Sequence, residues 1–175
     1  MTQLNIEIKA RSNNQDFIRE IFKSRHAEFR GVDHQIDTYF KVNSGRLKLR
    51  EGNIENSLVH YHRKDKEGPK QSNVTFYKSA DKSSLKEILI IALGVLVVVD
   101  KSREIFFIGN VKFHIDSVKD LGTFVEIEAI DPNGKIGKEK LLTQCNYYLD
   151  LFKIKKEDLI SNSYSDLLLE KSQAT

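Results

Sequence analysis

The sequence predicts an α+β protein whose strands are mostly antiparallel, and three observations carry that prediction. Strand-like segments outnumber helical ones and do not alternate with them regularly, so a βαβ series is excluded. Two short turn signals, Asn43-Ser44-Gly45 and Gly109-Asn110, join neighbouring strand-like segments as hairpins. Most of these segments also place charge on one face and aliphatic side chains on the other.

The elements follow in order. Residues 4–11, LNIEIKAR, alternate strictly, with Asn5, Glu7 and Lys9 on one face and Ile6, Ile8 and Ala10 on the other. Residues 13–29 space Phe17, Ile21 and Phe22 for a helix, with Gly31 as its stop. Strands are predicted over 33–42, 45–52 and 57–64, then a mobile loop over 64–72 and a further strand over 73–79. Ser84-Leu85-Lys86-Glu87 fits a capping box, opening a helix that runs to Leu93 and stops at Gly94. The segments 95–108, 111–118 and 122–130 read as strands, and 137–152 and 163–170 as helices. No repeat, linker or low-complexity tract divides residues 1–175, so one domain is expected.

Composition excludes several classes. With 39% hydrophobic and 30% charged residues and only 2 prolines, wholesale disorder is not expected. A formal charge of +3 is too mild to imply nucleic acid, and no interleaving of exposed aromatics with basic residues suggests it. The lone Cys145 provides no intramolecular disulfide and no thiolate metal site, which points to a reducing cytoplasm. Residues 1–11 hold no apolar core of a signal peptide. The apolar run 88–99 is too short for a membrane span; Gly94 divides it into a helix end and a buried strand start.

The polar faces carry the functional argument. Arg46, Lys48 and Arg50 share a face, as do Tyr61 and Arg63, Lys101 and Arg103, His114 and Asp116, and Glu126 and Glu128. On one strand alone such a face is ordinarily a solvated surface. A row of like charges about 7 Å apart repels itself, however, and an anionic partner explains it better. If the strands close into a barrel with these faces inward and helices outside, the lumen gains a cationic sector and an acidic one. The cationic sector is Lys9, Arg46, Lys48, Arg50, Arg63, Lys101 and Arg103; the acidic sector is Glu7, Asp116, Glu126 and Glu128. Unpaired, such charges cost several kcal/mol each to bury, so the lumen must be wet or liganded. A triphosphate with a hard divalent cation satisfies both sectors.

These residues resemble the CYTH superfamily, the triphosphate tunnel enzymes. NIEIKAR resembles its N-terminal acidic motif, and QIDTYF (35–40), GRLKLR (45–50), YHRKDKEGPKQS (61–72), VDKSREIF (99–106), HIDSVKDLGTFVEIE (114–128) and SYSDLL (163–168) follow in the family's order. The resemblance implies an eight-stranded antiparallel tunnel with Glu7, Asp116, Glu126 and Glu128 as ligands of Mg²⁺ or Mn²⁺. It implies that Lys9, Lys48, Arg50, Arg63, Lys78, Lys101 and Arg103 bind the substrate, and that Lys9, Arg63, Arg103 and Tyr39 are catalytic. It is closest to the branch of class IV adenylate cyclases, and a homodimer is compatible with it. One departure stands out: Asn5 occupies the place of the family's first motif Glu, which leaves the acidic sector one charge lower.

Two reactions fit this cradle: cyclisation of ATP to cyclic AMP and pyrophosphate, and hydrolysis of thiamine triphosphate, tripolyphosphate or another triphosphate. A non-catalytic triphosphate-binding module is the alternative of a different class. No dedicated nucleophile is visible, Cys145 reads as core, and NGKIGKEK (133–140) lacks the phosphate-loop pattern. His114 suits a hydrogen bond to a carboxylate or phosphate as well as it suits a structural role. His26 is placed in a helix and His34, His60 and His62 away from the lumen.

Overall fold

The structure, a computed structural model, describes residues 2–63, 67–79 and 84–174, leaving aside the side chains of Thr2, Gln3 and Arg63. Eight strands form it: β1 (Thr2–Arg11), β2 (Glu28–Phe40), β3 (Arg46–Glu51), β4 (Ser57–Arg63), β5 (Lys70–Lys78), β6 (Val95–Ile108), β7 (Val111–Val118) and β8 (Gly122–Asp131). They close into one barrel in the order β1-β5-β4-β3-β2-β6-β7-β8, and every neighbouring pair is antiparallel. Closure is made by β1 on β8, with Glu7 opposite Glu128 and Lys9 opposite Glu126. Four helices accompany the barrel: α1 (Gln15–Ser24), α2 (Leu85–Leu93), α3 (Lys138–Leu151) and α4 (Tyr164–Gln173).

Period-two alternation explains which way the strands face. Ile6, Ile8 and Ala10 of β1, Val111, Phe113 and Ile115 of β7, and Val125, Ile127 and Ala129 of β8 all point outward and are buried. What buries them is α1 and α3, through Ile18 and Phe22 and through Leu141 and Cys145, with Phe152 just beyond. Phe22 stacks on Phe106 at 4.4 Å and meets Phe113 and Phe152 at 5.0 and 5.4 Å. Each such side chain contributes about 1.5–3 kcal/mol when fully buried, so the main hydrocarbon core lies outside the barrel wall. The lumen is thereby freed for polar groups.

Several local expectations change. The first helix ends at Ser24 and not near Gly31, because the chain turns at His26 with φ 52°. Gly31 instead sits inside β2 at φ 121°, where the pairing with β6 slips by one residue. β5 already begins at Lys70, inside the segment expected to be a loop; residues 64–66 lie outside the described ones. Ser84 precedes α2 as expected, but its side chain makes no capping bond. The capping box is at the other end of the chain, where Ser163 and Asp166 exchange bonds at the start of α4. Gly94 does end α2 as expected, but the strand start beyond it is not buried: Val95, Leu96 and Val98 are exposed, as is Ile91 of α2. Among the described residues, no helix is long and apolar enough to cross a membrane.

Candidate active site

Inward positions of all eight strands line a cavity of about 640 Å³. Its wall includes Glu7, Lys9, Tyr39, Lys48, Arg50, Lys78, Lys101, Arg103, Glu126 and Glu128, ten of the positions proposed from sequence. Arg46 departs from the expected cationic sector. It lies at the rim where α4 docks, and its guanidinium bonds Asp166 at 2.7 Å. Asp116 does not reach the cavity surface either: Arg103 donates to both of its oxygens, at 2.7 and 2.6 Å, and the Tyr164 hydroxyl donates at 2.6 Å. The side chain of Arg63, expected to bind substrate, lies outside the described residues.

Two carboxylates, the buried Asp37 and the half-buried Glu126, organise the cations. Asp37 accepts from Arg50 Nε and Nη2 at 2.8 and 2.9 Å, from Lys101 at 2.7 Å and from Lys48 at 3.1 Å. Burial pushes the Asp37 carboxyl up, but Arg50, Lys101 and Lys48 outweigh it and hold its pKa well below the usual range. Glu126 accepts from Lys9, Arg103 and His114, each at 2.9 Å. Here too burial is overcome, by Lys9 and Arg103 and by the His114 bond. Glu55, from the turn between β3 and β4, joins Arg50 to Lys112 across the lumen. That turn is shaped by Asp33, which accepts from the backbone N–H groups of Ile54 and Glu55 at 2.9 and 3.0 Å.

Asp37, Glu55, Lys112 and Tyr164 were not singled out from sequence. Lys112 was legible, since it lies two residues before His114 on the same face. Asp37 shares alternation with Tyr39, but its weight comes from cations on two other strands. Glu55 sits in a turn with no periodicity to read. His114 is buried, and burial together with Arg103 lowers its pKa to about 4 despite Glu126.

Lys101 shows how crowded the cations are. Burial, and then repulsion from Arg50, Arg103 and Lys48, lowers its pKa to about 7 although Asp37 pulls the other way. Between about pH 7 and 10.5 the unfolded chain holds a proton on Lys101 that the folded protein has lost. Stability therefore gains from this group as pH rises through that window, and the gain is absent below it. Urea unfolding across this range is expected to show the rise in the wild type and a flatter profile in Lys101→Met. Parallel profiles would contradict the shift.

The remaining acidic wall is built by β1 and β8. Burial raises the Glu128 carboxyl, and Glu7, Glu126 and Glu55 add to it against Lys112. Asn5 donates to Glu128 at 2.5 Å, while its own amide oxygen is buried with no hydrogen-bond partner. Among the described residues, no three acidic, His or Cys side chains stand together as a ligand cluster. Glu126 and Asp116 are turned toward Arg103. What Asn5, Glu7 and Glu128 offer is all-oxygen donor chemistry, a concentration of negative charge and an unsatisfied carbonyl oxygen. That combination fits a hard divalent cation such as Mg²⁺ or Mn²⁺.

The CYTH domain profile matches residues 3–158. The chain belongs to the CYTH family. Members of this family are generally triphosphate-processing enzymes that use a divalent metal. Solved structures agree on the fold. The PH1012 protein of Pyrococcus horikoshii OT3 superposes with a TM-score of 0.72 at 25% identity, covering 93% of this chain and 98% of that one. A candidate adenylate cyclase of Vibrio parahaemolyticus gives 0.73 at 20% identity, covering 95% and 98%. A candidate adenylyl cyclase of Hippeastrum, described as having a dominant triphosphatase activity, gives 0.62 at 13% identity, covering 98% and 96%. No curated protein matches the sequence. This CYTH chain thus shares its fold with a candidate adenylate cyclase and with a protein described as having triphosphatase activity, and its own residues must indicate the reaction.

Proposed function

We propose that the cavity binds a triphosphate with a divalent cation and promotes attack on one of its phosphorus atoms. The observation that carries this reading is the division of one lumen into two walls. Cations from β1, β3, β6 and β7 face it, and Glu7 and Glu128 close the seam beside them. Lys9, Lys48, Arg50, Lys101 and Arg103 take the phosphoryl oxygens, with Lys78 at the end of β5 and Arg63 at the end of β4 completing the set. Glu7, Glu128 and the Asn5 amide oxygen would hold the ion, with Glu126 added once phosphate draws Lys9 and Arg103 away. When bound, such an ion offsets the charge developing on the attacking and leaving oxygens. Asp116 then acts as the counter-ion that orients Arg103 rather than as a ligand. Tyr39, on the lumen wall, borders the substrate.

The first reading of the reaction is cyclisation. The ribose 3′ oxygen of ATP bonds to the α-phosphorus, its proton passes to water, and pyrophosphate leaves. The second is hydrolysis, in which the oxygen of a water bonds to the terminal phosphorus as its bond to the bridging oxygen breaks. The diphosphate part of the substrate leaves, a proton passes to solvent, and orthophosphate is the other product. The Hippeastrum protein, described as having a dominant triphosphatase activity, lends support to the second. In both, the chain supplies aligned cations where negative charge accumulates, the largest single contribution in sites of this kind.

The test is product identification after incubation with ATP, tripolyphosphate and thiamine triphosphate, each with Mg²⁺ or Mn²⁺. Cyclic AMP with pyrophosphate establishes the first reading, and orthophosphate the second. Metal-dependent binding without turnover reduces the protein to a triphosphate-binding module. Binding of none of the three overturns the assignment.

A further inference from the structure

The lumen is not charged all the way round. On β4 the inward positions are Ser57, Val59 and Tyr61, and on β5 they are Ser72, Val74 and Phe76, with Lys78 beyond them opposite Ser57. The register sets Val59 opposite Phe76 and Tyr61 opposite Val74, so four side chains with apolar bodies form one panel. Tyr39 extends it, its hydroxyl 3.5 Å from that of Tyr61.

Val59, Val74 and Phe76 point inward yet are only half-buried, so the surface they leave uncovered faces the cavity. An inorganic polyphosphate would make no use of it. Phosphate-binding cations already stand on β1, β3 and β6, with Lys78 at the far end of β5, and hydrocarbon beside a fully ionic ligand gains nothing. A pocket of about 640 Å³ is in the range that holds an organic molecule rather than a short anion alone. Apolar panels of this sort supply binding by surface removed from water, and aromatic members add stacking.

Resting on the triphosphate reading above, we propose that this panel seats the organic group of a triphosphate ester, and that the group is an aromatic ring system recognised by its face. Phe76 provides the stacking surface and Val59 and Val74 provide hydrocarbon. Tyr39 and Tyr61, only 5% and 8% exposed and with Lys48 Nζ 5.6 and 5.9 Å from their ring centroids, close the panel's edge. No side-chain donor or acceptor stands among Val59, Val74 and Phe76; the tyrosine hydroxyls, Ser57, Ser72 and Lys78 lie at the margins. Recognition is therefore by shape, and purine triphosphates with different edge groups bind alike. Tripolyphosphate, which has no such group, uses the cationic walls only.

The experiment compares adenosine triphosphate, guanosine triphosphate, methyl triphosphate and tripolyphosphate by calorimetric binding in the presence of Ca²⁺, to the wild type, Phe76→Ser and Val74→Thr. The second variant keeps the shape of valine, and far-UV circular dichroism with thermal melting checks that both are folded. The substitutions are expected to weaken both nucleotides, Phe76→Ser by roughly tenfold, and to leave methyl triphosphate and tripolyphosphate unchanged. Equal weakening of all four ligands, or of none, overturns the panel. So does wild-type binding of tripolyphosphate without the nucleotides, which leaves the triphosphate reading standing. Binding of none of the four removes that reading and the panel with it.

Discussion

Asp37→Asn is expected to destabilise the folded protein by about 3–5 kcal/mol, the usual cost of removing one partner from a buried ionic cluster. Asparagine keeps the shape of the side chain, so no cavity is created. What is lost is the one full negative charge on which Arg50, Lys101 and Lys48 converge, in a position whose side chain is 2% exposed. Those three cations repel one another, and that repulsion adds to burial in lowering the pKa of Lys101. For a chain of this size the loss corresponds to a melting temperature lower by roughly 6–20 °C. The variant has a second consequence of opposite sign. Asp37 competes with phosphate for the same three cations, so tripolyphosphate is expected to bind the variant more tightly and to raise its melting temperature more than the wild type's. Unchanged unfolding midpoints in urea would show that Asp37 does not hold the cationic wall.

Glu126→Gln is expected to lower metal-dependent triphosphate turnover by about 10²–10³-fold, the effect of deleting one strong electrostatic contact from a preorganised site. Glu126 is where Lys9, Arg103 and His114 meet. With a neutral amide there, Lys9 loses its salt bridge and Arg103 keeps only Asp116. The fold is expected to persist, because Asp116, itself bonded by Tyr164, still holds Arg103 and the hydrocarbon core lies on the other side of the wall. Steady-state rates with Mg²⁺ and Mn²⁺, beside a melting curve, measure both parts. A folded variant with wild-type turnover would move the chemistry away from this carboxylate.

The contrast between these two residues shows which parts of the site were legible. Glu126 and Glu128 lie on a strand whose alternation with Val125, Ile127 and Ala129 is complete, so their common face could be read locally. The same holds for Lys48 and Arg50 and for Lys101 and Arg103. Asp37 follows the identical rule, but alternation says only that it faces Tyr39's side of β2. Its importance arises from β3 and β6, which pair with β2 on either side. Arg46 and Asp116 illustrate the limit in reverse. Both sit on correctly assigned faces, yet one lies at the rim against Asp166 and the other is sealed behind Arg103 and Tyr164. The apolar panel of β4 and β5 was hidden for a similar reason, since Val59, Val74 and Phe76 look like ordinary core residues until a cavity is found in front of them.

The sequence by itself determined the strand order along the chain, which charged residues share a face, and which strands carry cations and which carboxylates, because side-chain alternation at period two is a property of neighbouring residues. Only the tertiary structure decided which carboxylate each cation meets, which of the inward residues reach open space, and where the lumen turns from ionic to hydrocarbon. Those outcomes depend on pairings such as Lys9 with Glu126 and Lys101 with Asp37, which join strands far apart along the chain. Closure of β1 onto β8 brings such distant strands into one wall.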